Sequence, residues 1–128
     1  MKKLTTLLSF SLLAFTGFSQ NQIGGQKDAH GCLSGAGYQW SYLEKRCIRP
    51  FELKFQLINA NKTFNAGILF NSSRSKAEVF SKEGFVILTK SKTDFYSGKL
   101  FGKSVTLSKK NGKWILSNSH NKILYTQP

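Results

Sequence analysis

Acidic side chains are scarce in this 128-residue chain: six Asp and Glu stand against nineteen Lys and Arg, a formal charge of +13. Histidine is scarcer still, at two. The paired carboxylates that glycoside hydrolysis needs have no recognisable frame among so few acids. Asp28 and His30 lie close together, but His120 is the only other imidazole, which leaves too few ligands for a zinc site once the cysteines are paired. No Gly-x-Ser-x-Gly elbow occurs, so a serine hydrolase of that type is excluded. The run from Ser97 to Ser104 imitates a phosphate-binding loop but has Ser97 where the motif wants glycine, and no strand-to-helix context. The expectation is a protein without catalytic residues, metal or cofactor; an enzyme reading would have to rest on Asp94 or His120.

Cysteine is limited to Cys32 and Cys47, and proline to Pro50 and Pro128. A reactive thiol pair wants Cys-x-x-Cys spacing or a basic helix N-terminus, and neither is present. A disulfide closing a loop of about 15 residues is expected instead, worth roughly 3 kcal/mol on the chain-entropy model. Beyond the N-terminus no long stretch has the 3.6-residue period of a helix, and no repeat of 20–50 residues is visible. At this length one domain is the limit.

The one long apolar run is N-terminal. Lys2 and Lys3 precede an uncharged stretch over residues 4–18, and small residues at Gly17 and Ser19 suit signal-peptide cleavage after Ser19. The run is shorter than the ~20 residues of a membrane span. Residues 1–19 are therefore read as a signal peptide, 20–50 as a tether and disulfide-closed lead-in, and 51–128 as the β domain, with a periplasmic or secreted location. Removing Lys2 and Lys3 takes the nineteen cations to seventeen, which against six acids leaves a formal charge of +11.

Strand signals fill the remainder. Phe51, Leu53, Phe55 and Leu57 alternate with polar residues, and short apolar runs follow at 66–70, 77–80 and 85–88. Residues 95–101 are broken by Gly98. Val105 and Leu107 alternate up to Lys109, and Asn111-Gly112 is the strongest hairpin signal, because both residues tolerate positive φ. Trp114 to Leu116 and Ile123 to Tyr125 finish the series. About eight short strands near ten-residue spacing argue for an all-β fold, a small antiparallel barrel or sandwich. Residues 41–46 have room for one helical turn. Tyr38, Trp40 and Tyr42 share one face of an extended segment, as a small core under the disulfide or as a platform for stacking sugars or a partner.

A charge of this sign implies affinity for anionic surfaces, or else a solvated lysine-rich exterior, since the lysines are spread along the chain. Export and the lack of an RNP-type motif argue against nucleic acid.

Two resemblances add to this. Asp28-Ala29-His30-Gly31-Cys32, Ala36-Gly37-Tyr38-Gln39-Trp40-Ser41 and Cys47-Ile48-Arg49-Pro50-Phe51-Glu52 resemble a lead-in of small exported bacterial proteins. Residues 64–127 are similar to the MliC-type inhibitors of C-type lysozyme. The similarity rests on Phe70, Arg74, Ala77, Val79, Leu88 and Tyr96, then Gly102 before Val105-Thr106-Leu107, and the Gly112-Lys113 hairpin. That resemblance implies a periplasmic β-barrel in which a Ser-Gly-x-x-Tyr loop and a later lysine before glycine enter the lysozyme cleft and engage its catalytic acids. Here Tyr96 matches, Lys92 and Thr93 take the Ser and Gly positions, and Ser91 is one place early. Phe101 takes the lysine position, with Lys103 just past Gly102. The binding residues it implies are Ser91, Lys92, Tyr96, Lys99 and Lys103. Two functions follow as expectations. One is a non-enzymatic binding protein that engages a lysozyme or other envelope protein through lysine-bearing loops. The alternative is an envelope module held to anionic glycan or lipid by its charge.

Overall fold

A computed structural model describes residues 26–128. The signal peptide expected over 1–19, and the tether as far as residue 25, lie outside the described residues. The fold is all-β: a closed eight-stranded antiparallel barrel with a two-stranded ribbon beside it. The ribbon pairs β1 (Gln39–Ser41) with β2 (Arg46–Ile48). The barrel follows as a meander of β3 (Phe55–Asn59), β4 (Asn65–Phe70), β5 (Lys76–Ser81), β6 (Gly84–Lys92), β7 (Phe95–Leu100), β8 (Lys103–Lys110), β9 (Lys113–Asn118) and β10 (Ile123–Thr126). β10 closes it on β3 through the pairs Tyr125–Asn59 and Thr126–Ile58. Closure leaves no unpaired edge among the barrel strands.

Alternation along each strand sends one set of side chains inward. Leu57, Ile68, Val79, Leu88, Leu107, Trp114 and Leu116 form that set, each no more than 2% exposed. Rings of Phe55, Phe70, Tyr96 and Trp114 meet at one end of the interior, with centroids 5.2–6.0 Å apart. The inward side chains occupy the space that eight strands enclose. Gly98 is required there: a Cβ would stand 2.8 Å from Leu88 Cδ2 and 2.9 Å from the Ile87 carbonyl. The glycine that breaks the pattern of residues 95–101 thus lets β7 run close against β6.

Cys32 and Cys47 are disulfide-bonded across a separation of 15 residues, the chemistry of an oxidising compartment. The closed segment lies against the outer wall of β4 and β5, not over a barrel end. Ile48 and Leu43 pack there with Leu69, Phe80 and Leu53 as a second apolar cluster. Beneath it Gly67 admits the Pro50 carbonyl, which would stand 2.5 Å from a Cβ. Gln56 Nε2 donates to the carbonyls of Pro50 and Leu53 at 2.8 and 2.9 Å.

Two expectations need correction and one, the single turn over residues 41–46, holds. The strand expected from Phe51 begins only at Phe55, because Pro50, whose fixed φ suits a first helical position, opens a 3-10 turn over Pro50–Glu52. Residues 41–46 make a single turn closed by the Lys45 N–H on the Ser41 carbonyl at 2.7 Å, with Lys45 at φ +55. The Tyr38, Trp40 and Tyr42 rings do not form one core. Arg49 covers Tyr38, His30 stacks on Trp40, and Tyr42 stacks on Phe85 of β6. The face of β1 turned to the barrel belongs to Ser41, which is wholly buried.

Candidate functional site

In a meander, alternate turns fall at the same end. The turns at 71–75, 93–94 and 111–112 therefore share one end of the barrel, called here the lower. Those at 60–64, 82–83, 101–102 and 119–122 share the upper. This parity sorts the cations. Arg74, Lys76, Lys90, Lys92, Lys109, Lys110 and Lys113 all stand at the lower end, where Asp94 is the acid in the turns. Lysines spread along the chain thus fall at the two ends of the barrel, with Lys62, Lys82, Lys99, Lys103 and Lys122 at the upper.

Two hairpins carry most of this charge. Thr89, Lys90, Ser91 and Lys92 are exposed in succession, and so are residues 109–113. On a barrel wall every second side chain would be buried, so these ribbons stand clear of the core. The β6–β7 register shifts between Lys90 and Lys92, which places Ser91 in a bulge. Lys92 Nζ rests over the Phe95 ring at 5.1 Å and Lys109 Nζ over Trp114 at 5.7 Å, positions that hold the ammonium groups without neutralising them. Asn111 and Gly112, at φ +53 and +78, form the expected tight turn of the second hairpin. From the hairpins along the wall of β8 and β9 to the upper end runs a groove of about 570 Å³, lined by Lys92, Thr93, Asp94, Phe95, Thr106, Ser108, Lys109, Lys110, Ile115, Ser117, Asn121 and Ile123.

The expected binding residues divide. Ser91 and Lys92 are exposed on the β6–β7 hairpin. Lys99 and Lys103 are exposed at the upper end, since β7 carries the chain about 17 Å away at a strand's rise of ~3.3 Å per residue. Tyr96 points inward, is 2% exposed, and donates its hydroxyl to the Arg74 carbonyl at 2.7 Å. Burial raises its phenol pKa above 10.0, Arg74 pulls it down and Asp94 adds to the rise. In this structure Tyr96 ties the β4–β5 turn to the barrel floor and presents no surface to a partner. Arg74 lies over Phe70, its guanidinium 4.4 Å from the ring centroid.

Lys109, Lys110 and Lys113 were not among the expected residues. Their signal was present: the Asn-Gly turn they flank lies two hairpins from Ser91 and so shares its end. Asp94 and His120, the groups open to an enzyme reading, lie at opposite ends of the barrel. Among the described residues no cluster of three His, Cys, Asp or Glu side chains is placed to hold a metal ion. Comparison with family models, curated proteins and solved structures finds no match to this chain.

Proposed function

We propose that this chain is an exported, non-enzymatic binding protein of the periplasm or exterior, which engages an acidic cleft on a partner protein with the two lysine-bearing hairpins at its lower end. The observation that carries the reading is the gathering of seven cations against Asp94 at this end, five of them on ribbons that stand clear of the barrel. Protruding, cationic and backed by a rigid wall, they suit insertion between carboxylates. A C-type lysozyme is the first partner to test, because residues 64–127 resemble its inhibitors. Such lysozymes are themselves basic, and the general repulsion between two basic proteins is screened beyond about 10 Å at 0.1 M salt. Contact between hairpin lysines and cleft acids acts within that distance.

A second reading is an anionic glycan of the envelope. The groove beside the hairpins favours it, with Thr106, Ser108 and Ser117 hydroxyls beside Lys92 and Lys110.

A cell-wall lysis assay with lysozyme, titrated with residues 20–128, tests the first reading. Stoichiometric inhibition is expected to persist at physiological salt. It should be lost in a Lys92→Ala, Lys109→Ala, Lys110→Ala variant and kept in Lys99→Ala, Lys103→Ala. No inhibition by the parent chain at either salt concentration removes lysozyme as the partner. Binding to acidic glycan that fades with salt would favour the second reading.

A further inference from the structure

The upper end of the barrel carries a different surface. Phe101 occupies the tip of the two-residue turn between β7 and β8 and is 80% exposed. Its φ is +52, in the left-handed region, and Gly102 follows at +78. These angles are those of a hairpin turn that favours Asn-Gly, as at Asn111-Gly112. A phenylalanine there costs stability through its backbone and gains none from burial of its ring. The ring lies beside Gly84 at the start of β6, 3.5 Å from where a Cβ would stand.

Phe101 has apolar company. Phe64 and Ile123, 45% and 51% exposed, border turns at the same end. Lysines surround them: Lys62, Lys82, Lys103 and Lys122 lie in or beside these four turns. Lys82 Nζ sits 4.6 Å from the Phe64 ring centroid. The acid in these turns, Glu83, already accepts the Tyr125 hydroxyl at 2.8 Å.

We propose that this end docks on an anionic lipid surface, with Phe101 entering the headgroup layer and the turn lysines meeting lipid phosphates. The surface is the tip of a hairpin that presents one strongly exposed aromatic, Phe101, with Phe64 less exposed at a neighbouring turn. It needs a soft layer it can penetrate, and its rim of four lysines against the one carboxylate of Glu83 is complementary to anionic headgroups. The barrel would then rest on the membrane by one end and present its lower hairpins away from it.

Residues 20–128 contain every described element and lack the apolar N-terminal run, which would itself bind lipid. This chain is expected to co-sediment with vesicles of phosphatidylethanolamine and phosphatidylglycerol at physiological salt. It should not co-sediment with phosphatidylcholine vesicles. Phe101→Asn should weaken binding by about tenfold or more and melt at the same or a higher temperature, because asparagine suits the positive φ. Phe101→Trp should show a blue-shifted emission on the anionic vesicles, quenched by brominated acyl chains. The lower-end variant Lys92→Ala, Lys109→Ala, Lys110→Ala should still bind. Parent and Phe101→Asn binding alike, or tryptophan emission unmoved by vesicles, would overturn the proposal. So would loss of binding in the lower-end variant alone, or no vesicle binding by the parent.

Discussion

The Ser41 hydroxyl donates to the Glu78 carboxylate at 2.7 Å, and both residues are fully buried between the lead-in and the barrel wall. The other carboxylate oxygen accepts the Tyr42 N–H at 2.8 Å, and the Leu43 N–H approaches, at 3.4 Å, the oxygen that Ser41 holds. Ser41 Oγ in turn accepts the Glu44 N–H at 3.0 Å. An outward-facing glutamate of β5 therefore supplies the acceptors for the Tyr42 and Leu43 N–H groups, which the turn's own Lys45-to-Ser41 bond leaves unpaired. The hydrogen bonds fix where the lead-in sits, and the apolar cluster of Ile48, Leu69 and Phe80 beside them holds it there.

Replacing Glu78 by alanine leaves the Ser41 hydroxyl and two backbone N–H groups buried without partners. The expected loss is on the order of 3 kcal/mol. Urea denaturation should show it, and limited proteolysis should begin to cut within residues 39–48 while the barrel stays resistant. A loss under about 0.5 kcal/mol, the range of ordinary surface changes, would mean that the network does not anchor the segment.

Gly67 tests the same contact from the barrel side. An alanine methyl would meet the Pro50 carbonyl at 2.5 Å, and that carbonyl is main chain and cannot swing aside. Gly67→Ala should lift the lead-in, cost about 1–3 kcal/mol, and expose Leu69 and Phe80 to a hydrophobic dye. Gly112→Ala is the comparison: it meets nothing within 4 Å, but its φ of +78 should cost about 1 kcal/mol. Dye binding in the Gly112 variant but not in the Gly67 variant would contradict this account.

The barrel was legible in the sequence because its signals are local. Val105 and Leu107 alternate, and Asn111-Gly112 takes the angles its chemistry favours. The turn at Phe101-Gly102 was not legible, since phenylalanine at positive φ goes against its own preference. The packing of β1 was also hidden. Alternation showed a face of Tyr38, Trp40 and Tyr42, yet Ser41 is the residue that became buried, through a partner 37 positions away. The basic end needed one step beyond composition. Counting turns shows that 91–94 and 109–113 meet at one end while Lys99 and Lys103 go to the other, and no inspection of spacing along the chain reveals that.

Without the Cys32–Cys47 bond the lead-in should loosen before the barrel does. The Cys32→Ser, Cys47→Ser variant is expected to lose about 3 kcal/mol on the chain-entropy model. The barrel closes on itself through strand pairing that does not pass through either cysteine. Hydrogen exchange should therefore speed up at residues 39–48 and change little along β4 to β8. Uniform acceleration over the whole chain would show that the two parts unfold as one unit.

Tyr125 sets an alkaline limit on stability. Its ring is 2% exposed inside the barrel and its hydroxyl donates to Glu83 at 2.8 Å. Burial, followed by the hydrogen bond to Glu83 and that group's charge, pushes the phenol pKa from 10.0 up to about 12. The fold thus favours the protonated phenol more than the unfolded chain does. The stability this confers is fully present below pH 10, the unfolded value, and is lost as the pH rises through about 12. Tyr125→Phe removes the titrating group at the cost of one hydrogen bond to an exposed carboxylate, about 1 kcal/mol. The variant should therefore melt below the parent at neutral pH, and the gap should close as the pH climbs from 10 toward 12. Lysine deprotonation in the same range acts on both proteins, so the difference between their melting curves isolates the phenol. A gap that stays constant across that range would mean that Tyr125 keeps its proton no more firmly in the fold than out of it.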